Sequence, residues 1–241
     1  MTRMCPYTCY RKKKPQPPQT KLKKNDTKLV FFDMDGVLTN ILSSWKHIHD
    51  YFGTSNERSV KAYLEGHIDD LEFIKRDVSL WKKNGKYIKI DSINDILTSI
   101  PLMEGAKECI AFLRDHHIKT AIVSAGLDIL AERVAKELGI DYVFANGVKT
   151  DPEGRLTGEG VLQVQLMHKE KNVKHLADKL NIPLNHCIAV GNSCFDIPMF
   201  ETCGTGIAFN PEDECVRTTA DIIVEGKDLR NLIPVIKNCM K

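Results

Sequence analysis

Long apolar segments are absent from this 241-residue sequence, in which no window of about 18 residues is apolar enough to cross a membrane. The basic N-terminal residues are not followed by the apolar run of a secretory signal. A C-x-x-C pair is also missing among the eight cysteines, which argues against a structural zinc site and favours reduced thiols. These absences predict a cytoplasmic protein without a membrane partner.

Acidic residues are scarce in the N-terminal segment. Residues 1–28 contain nine Lys or Arg and a single acid, Asp26, for a net charge of +8, whereas the other 213 residues carry −6. The segment has too little apolar surface to offset the entropy lost on ordering, so residues 1–27 are predicted to form a disordered basic tail. Charge alone is weak support for nucleic-acid binding. We therefore do not expect nucleic acid as a partner, and binding through the tail is the alternative.

The rest of the chain alternates short apolar runs with amphipathic stretches. Apolar runs typical of buried strands lie at 28–32, 118–123, 142–145, 187–190, 206–209 and 220–224. Helical patterns lie between them, at 104–117, 127–138, 169–181, 211–219 and 228–238. This alternation predicts an α/β fold with a doubly wound, Rossmann-like parallel sheet, in which ligands bind beyond the carboxyl ends of the strands.

Two segments interrupt the alternation. Residues 40–102 contain no strong buried-strand run but do contain amphipathic helical patterns. They predict a small helical cap domain inserted into a core domain of residues 28–39 and 103–241. Residues 146–160 are rich in turn-forming residues, with Asp-Pro-Glu-Gly at the centre, and predict a β-hairpin flap.

Oxygen-bearing side chains follow two of the predicted strands. Asp33 and Asp35 come directly after the first strand, two residues apart, so both carboxylates can face the same way, and Gly36 lets the backbone turn away at once. Asn192 and Asp196 follow the strand at 187–190. Oxygen ligands from two strand ends suit Mg²⁺, which would also relieve the repulsion between neighbouring carboxylates. Taken singly, each motif also fits a solvated turn or a helix cap.

Phosphate-binding groups are predicted at two further places. Ser124, Ala125 and Gly126 lie between a predicted strand and a predicted helix, where a hydroxyl and backbone N–H groups can cradle a phosphate. Lys169 opens a later helix and would neutralise phosphoryl charge, with Lys171 as a competing choice. An ordinary turn and a surface lysine are the alternatives.

In chain order the motifs are the first at Asp33–Thr39, the second at Ser124–Gly126, the third at Lys169 and the fourth at Gly191–Asp196. Together they resemble those of the haloacid dehalogenase superfamily, over roughly residues 28–238. The segments IVSAG, YVFAN and GIAFNPEDE are most similar to its phosphoserine phosphatase-like subgroup. The resemblance implies that Asp33 attacks phosphorus to form an aspartyl-phosphate, and that Asp35 protonates the leaving oxygen and later activates water. It also implies a phosphate-binding set and a set of Mg²⁺ ligands. The phosphate-binding set is Gly36, Ser124, Ala125, Gly126 and Lys169, and the Mg²⁺ ligands are Asp33, Asp35, Asn192 and Asp196.

The sequence departs from this family pattern at three positions. Asn192 stands where most members have an Asp, which predicts weaker metal affinity and a larger contribution from Asp196. Leu42 stands where phosphoserine phosphatases have a Glu nine residues after the nucleophile. The Arg that binds the substrate carboxylate aligns with Asp77, next to Arg76. Phosphoserine is therefore a possible substrate but not the favoured one.

These motifs predict a Mg²⁺-dependent phosphomonoester hydrolase that acts on a small phosphorylated metabolite. A phosphomutase on the same fold is one alternative, because it would use the same nucleophile. A binding protein that lost turnover through Asn192 is the other.

Overall fold

The computed structural model describes residues 26–240. Residues 1–25 of the predicted tail lie outside the described residues. The first part of the chain runs through β1 (Leu29–Phe32), α1 (Ser44–Phe52), α2 (Glu57–Leu64), α3 (Asp70–Ser79), β2 (Lys82–Lys83), β3 (Lys86–Tyr87), α4 (Ile90–Thr98), α5 (Ala106–Asp115) and β4 (Lys119–Leu127). It continues through α6 (Asp128–Leu138), β5 (Tyr142–Thr150), β6 (Leu156–Val161), α7 (Glu170–Lys179), β7 (Cys187–Gly191), α8 (Ile197–Thr202), β8 (Thr205–Phe209), α9 (Glu214–Thr219), β9 (Ile222–Val224) and α10 (Leu232–Cys239).

The main sheet has seven strands in the order β6-β5-β4-β1-β7-β8-β9. Every neighbouring pair is parallel except β5 and β6, which pair antiparallel. The predicted doubly wound parallel sheet is therefore confirmed. Strand β1 lies between β4 and β7, so the order of strands reverses around it, and this is where such sheets bind ligands.

Alternating side chains of β1 pack into two separate cores. Val30 and Phe32 lie in the core that α5, α6 and α10 cover, whereas Leu29 and Phe31 lie in the core that α7, α8 and α9 cover. All four side chains are fully buried, as the period of two along a strand requires when helices cover both faces. Burying each of these side chains contributes about 2 kcal/mol to stability. Their packing therefore holds β1, the strand that precedes the first motif, in place.

Residues 40–102 form four helices and the short β2–β3 hairpin between β1 and the rest of the sheet. Ser43 caps α1 by accepting a hydrogen bond from the Lys46 N–H at 3.2 Å. The sequence patterns predicted the helical character of this segment but not the hairpin. The β2–β3 strands are only two residues each and consist mostly of exposed lysines, so they carry no buried-strand signal.

The flap forms an antiparallel pair between β5 and β6, as the turn-rich segment predicted. Backbone hydrogen bonds tie it to the inserted helices: Ile90 N donates to Gly154 O at 2.9 Å, and Leu156 N donates to Ile88 O at 3.0 Å. These two bonds connect the flap to the start of α4.

Within residues 26–240, every helix is too short or too polar to cross a bilayer. Five cysteines in this range are free thiols, as expected, namely Cys109, Cys187, Cys194, Cys203 and Cys239. Cys215 is disulfide-bonded, so the expectation of reduced thiols is wrong at this position.

Candidate active site

The first motif begins where β1 ends. Asp33 N donates to Val190 O at 2.9 Å, which continues the pairing of β1 with β7, and the Asp33 residue is 6% exposed. The chain then turns sharply, because Leu38 N and Thr39 N both donate to Met34 O. Gly36 has φ +78, and a Cβ there would lie 2.1 Å from Asn192 Nδ2. A side chain at position 36 would therefore push the first and fourth motifs apart.

A buried lysine joins these two motifs. Lys169 Nζ lies 2.9 Å from Asp33 Oδ1 and 2.7 Å from Asp196 Oδ1, and all three side chains are nearly inaccessible to solvent. Lys171, the competing choice, is exposed and donates to Gln165 Oε1 instead. The geometry therefore favours Lys169 as the lysine that faces a phosphoryl group.

Burial controls the protonation of this cluster. It raises the pKa of Asp33 to about 7, because desolvation of the carboxylate outweighs the opposing charge of Lys169, while Asp196 adds like-charge repulsion. Burial also opposes the charge of Lys169, but the carboxylates of Asp196 and Asp33 outweigh it and raise the pKa of this lysine. The ammonium group therefore stays charged, and a divalent cation beside Asp33 would bring its carboxylate back to the ionised form.

The fourth motif forms a tight turn after β7. Asp196 Oδ2 accepts from Asn192 N at 3.0 Å and from Ser193 N at 3.1 Å, while its Oδ1 bonds to Lys169. Asn192 Nδ2 donates to Glu212 Oε1 at 2.8 Å, which leaves Oδ1 as the acceptor atom of the amide. Asp196 thus organises the turn and the lysine, and Glu212 orients Asn192.

The second carboxylate of the first motif is held from the inserted segment. Asp35 Oδ2 accepts from Ser44 N at 2.7 Å and from Ser44 Oγ at 2.8 Å. Asp35 Oδ1 is buried and has no hydrogen-bond partner among residues 26–240. Burial raises the pKa of Asp35, and the two hydrogen bonds from Ser44 act in the opposite direction. Burial therefore favours the protonated form of Asp35, which is the form that can donate a proton.

The second motif lies beside the first because β4 is the neighbour of β1. Phe32 pairs with Ile122, so Ser124 lies two residues beyond the paired end of the strand. Ser124 is buried, and its Oγ accepts from Gly126 N at 3.1 Å. A Cβ on Gly126 would lie 2.9 Å from Asp35 Oδ2. The loop of the second motif therefore packs directly against the first.

The sequence did not predict Ser44, Asn146 or Glu212 as residues of the site, and it indicated Trp45 only as a residue that could line the cap. Trp45 Nε1 donates to Ala125 O at 2.9 Å, and Asn146 Nδ2 donates to the same carbonyl at 3.3 Å. Ser44 and Glu212 bond to Asp35 and Asn192 as described above. The only sequence signal for Ser44 is that it follows Ser43, and serines are common at helix starts. That signal does not distinguish a helix cap from a residue that contacts the site.

Leu42 and Asp77 stand where the family has the Glu and the Arg that recognise an amino-acid substrate, and neither side chain is placed to do so. Leu42 is 68% exposed. Asp77 is buried, accepts from Asn56 Nδ2 at 2.8 Å and lies 3.4 Å from His49 Nε2. The adjacent Arg76 is exposed on α3 and pairs with Glu72 at 2.8 Å.

A metal at this site would depend on mixed oxygen donors. Within the described residues, no group of three or more His, Cys, Asp or Glu side chains could hold an ion. The Asp33 carboxylate, the Asp35 carbonyl and the Asn192 amide are nevertheless hard oxygen donors of the kind that Mg²⁺ prefers, and Mg²⁺ usually keeps several waters. The donor set therefore fits Mg²⁺ with one fewer negative charge than an Asp at position 192 would give.

Comparison with known proteins agrees with this geometry. The profile of the haloacid dehalogenase-like hydrolase family matches residues 27–204. The phosphoserine phosphatase of Methanocaldococcus jannaschii is 31% identical over 87% of this chain and 98% of its own length. That of Wolinella succinogenes is 32% identical over 86% of this chain and 98% of its own length.

Solved structures show the same similarity. A structure described as a phospho-aspartyl intermediate analogue of phosphoserine phosphatase superposes with a TM-score of 0.75 at 29% identity, covering 90% of this chain and all of its own. A substrate-bound phosphoserine phosphatase structure gives the same values. This chain therefore belongs to the haloacid dehalogenase-like hydrolases, in their phosphoserine phosphatase-like branch, and is a phosphatase.

Proposed function

We propose that this phosphatase is a Mg²⁺-dependent phosphomonoester hydrolase that passes the phosphoryl group of a small metabolite through Asp33. The observation that carries the proposal is the buried contact of Asp33 with Lys169, whose ammonium group Asp196 also binds. A carboxylate beside a fixed ammonium group, next to a second buried carboxyl, is the arrangement that covalent phosphoryl transfer requires.

In the first half of the reaction, an oxygen of Asp33 forms a bond to phosphorus while the bond to the leaving oxygen breaks. Asp35 gives its proton to that oxygen, so the alcohol leaves neutral. In the second half, Asp35 takes a proton from water as the water oxygen attacks phosphorus. The bond from phosphorus to Asp33 then breaks, which releases phosphate and restores both carboxyl groups.

Charge on the phosphoryl oxygens is stabilised by Lys169, by the Ser124 hydroxyl and by the backbone N–H of Ala125, whereas the Gly126 N–H already donates to Ser124 Oγ. Asp33, the Asp35 carbonyl and Asn192 would hold Mg²⁺, which supplies positive charge that lets an anionic nucleophile approach an anionic ester. Both oxygens of Asp196 already accept hydrogen bonds. We therefore assign Asp196 to orienting Lys169 and the turn, and not to a larger share of the metal as the sequence suggested.

The substrate class is a small phosphorylated metabolite. The relatives named phosphoserine phosphatase support L-phosphoserine as the first compound to test. The exposed Leu42 and the internally bonded Asp77 do not offer a charged partner for an amino acid. We therefore expect L-phosphoserine to be a poorer substrate than other small phosphomonoesters.

Phosphate release with and without Mg²⁺ tests this function. We expect release from 4-nitrophenyl phosphate and from members of a phosphometabolite panel, and loss of that release when EDTA removes the metal. Isomerised product without free phosphate would support a phosphomutase instead. No turnover of any compound would support a binding protein.

Asn192→Asp is expected to tighten Mg²⁺ binding about 10-fold, because it restores one negative charge among the ligands. The new carboxylate would face Glu212, which now accepts from Asn192 at 2.8 Å. The metal-free protein should therefore lose up to about 1 kcal/mol of stability, since Glu212 is exposed and the repulsion is screened. Isothermal titration calorimetry with Mg²⁺ and thermal melting measure the two effects.

Glu212→Gln in the Asn192→Asp background is the matched control. It removes the repulsion, so the melting temperature without metal should recover while the tighter Mg²⁺ binding persists. Unchanged metal affinity in both variants would show that position 192 does not contact the ion.

Leu42→Glu is expected to raise kcat/KM for L-phosphoserine about 5-fold relative to 4-nitrophenyl phosphate, because a carboxylate at this position would pair with the substrate ammonium group. Tyr51→Glu is a control with the same exposed fraction of 68%. Tyr51 lies near the end of α1, about 10 Å along the helix from its start. An equal ratio in the two variants would place Leu42 outside the substrate entrance.

A further inference from the structure

Ser44, the first residue of α1, connects the inserted segment to both motif loops. It is fully buried, and it donates to Asp35 Oδ2 through both its backbone N–H, at 2.7 Å, and its hydroxyl, at 2.8 Å. Leu127 N donates to Ser44 Oγ at 3.0 Å. A Cβ on Gly126 would lie 2.7 Å from the same Oγ atom, so the hydroxyl fills the space between the two loops.

The direction of the hydrogen bonds is fixed by the number of protons. A serine hydroxyl has one proton to donate. Because the Leu127 N–H uses Ser44 Oγ as an acceptor, the hydroxyl proton is free to go to Asp35 Oδ2. Both Ser44 donors therefore bind the same carboxylate oxygen.

The other oxygen of Asp35 is left without a partner. Asp35 Oδ1 is buried and makes no hydrogen bond within residues 26–240. A buried polar atom without a partner costs free energy, and such atoms are rare in folded proteins unless a ligand or a function uses them. Here the atom lies on the residue that exchanges a proton in the proposed reaction.

Helix capping does not account for Ser44. The cap of α1 is its neighbour Ser43, whose Oγ accepts from Lys46 N at 3.2 Å. The start of α1 is also anchored independently, since Trp45 Nε1 donates to Ala125 O at 2.9 Å and the Trp45 ring stacks on Trp81 with centroids 5.3 Å apart. Ser44 therefore points at Asp35 from a helix that other contacts hold in place.

Building on the proposed function, we propose that Ser44 is a positioning residue that binds Asp35 Oδ2 and thereby presents Oδ1 to the leaving-group oxygen. The acid–base group of the core is then completed by a residue of the inserted segment. Proton transfer by Asp35 therefore depends on how α1 packs against the core. The roles of the nucleophile Asp33 and of Lys169 do not depend on that packing.

The test is a comparison of two leaving groups in full-length protein. Phenolate is a poor leaving group and needs a proton in the transition state, whereas 4-nitrophenolate leaves with little help. For Ser44→Ala we expect kcat/KM to fall about 100-fold on phenyl phosphate and by about 10-fold or less on 4-nitrophenyl phosphate. Ser44→Thr keeps the hydroxyl, so its ratio of kcat/KM between the two substrates should lie closer to that of the natural protein than the ratio of Ser44→Ala does.

Ser43→Ala is the matched control, because it removes a hydroxyl from the same helix start without touching Asp35. Its ratio between the two substrates should equal that of the natural protein. The ratio is measured within one preparation, so a smaller folded fraction in any variant does not change it.

Equal losses on both substrates in Ser44→Ala, or no loss on either, would overturn the role of Ser44 while leaving the proposed function intact. No phosphate release from either ester by the natural, folded protein would overturn the proposed function itself, and the role of Ser44 with it.

Discussion

Asp33→Asn is expected to lose at least about 10⁴-fold of the Mg²⁺-dependent phosphate release, because an amide nitrogen and a neutral carbonyl oxygen do not attack phosphorus. The fold should persist. Lys169 keeps its contact with Asp196 at 2.7 Å, and an amide oxygen can still accept from Met34 N, which now donates to Asp33 Oδ1 at 2.8 Å. Phosphate release and a thermal melt on the same preparation measure both expectations.

Asp115→Asn is the control for this variant, since Asp115 is exposed at the end of α5 and distant from the motifs in sequence. It should retain the activity of the natural protein. Asp33→Asn with activity within about 10-fold of the natural protein would mean that another group attacks phosphorus.

Lys169→Met is expected to lower kcat/KM about 10³-fold and to reduce the free energy of unfolding by about 3 kcal/mol. Methionine keeps much of the side-chain volume but leaves the carboxylates of Asp33 and Asp196 buried without their cation. The raised pKa of Asp33 limits the penalty, because that carboxyl group can become neutral by binding a proton. Steady-state kinetics and urea unfolding measure the two effects.

Lys171→Met is the matched control, with the same substitution two residues further along the chain, in α7. The Lys171 side chain is exposed and donates to Gln165 Oε1, so both activity and stability should change little. A larger loss in Lys171→Met than in Lys169→Met would exchange the roles of the two lysines.

Local sequence patterns were sufficient to predict the sheet and the strand ends that carry chemistry. Buried four-residue runs such as Leu29–Phe32 are apolar on both faces, and this pattern has few interpretations besides a central parallel strand. Asp33 and Ser124 follow from the same reasoning, because the ends of adjacent parallel strands meet at one edge.

Element boundaries were less predictable where a side chain sets them. The helix expected at 211–219 begins at Glu214, since Asp213 Oδ1 accepts from Val216 N at 2.8 Å and caps it there. Strand β4 continues past Ser124 to Leu127, where the contact of Leu127 N with Ser44 Oγ depends on a residue more than eighty positions earlier.

The roles of several site residues depend on tertiary contacts that no local pattern encodes. The sequence predicted Lys169 with Lys171 as a competing choice, and the two are separated by burial and by the contacts of Lys169 with Asp33 and Asp196. Asp196 was predicted as a metal ligand because it is a carboxylate after a strand, yet both its oxygens are used by Lys169 and the turn. The contact of Asn192 with Glu212 joins residues twenty positions apart and explains how an amide is oriented there.

The inserted segment was the least predictable part. Asp77 lies where the family comparison places a substrate-binding arginine, but in the structure it faces the interior, with Asn56 and His49 as neighbours. A charged residue in an amphipathic helix is usually exposed, so no local pattern indicates that Asp77 faces the interior.

Trapping the covalent intermediate shows whether Asp33 carries the phosphoryl group during turnover. The protein would be mixed with Mg²⁺ and 4-nitrophenyl phosphate, quenched in acid within milliseconds to seconds, and digested for mass spectrometry. We expect an added phosphoryl group on the peptide that contains Asp33, located at Asp33 by fragmentation and absent from Asp33→Asn. Turnover without a phosphorylated aspartate, or a phosphoryl group on another residue that persists in Asp33→Asn, would contradict the role of Asp33 as the nucleophile.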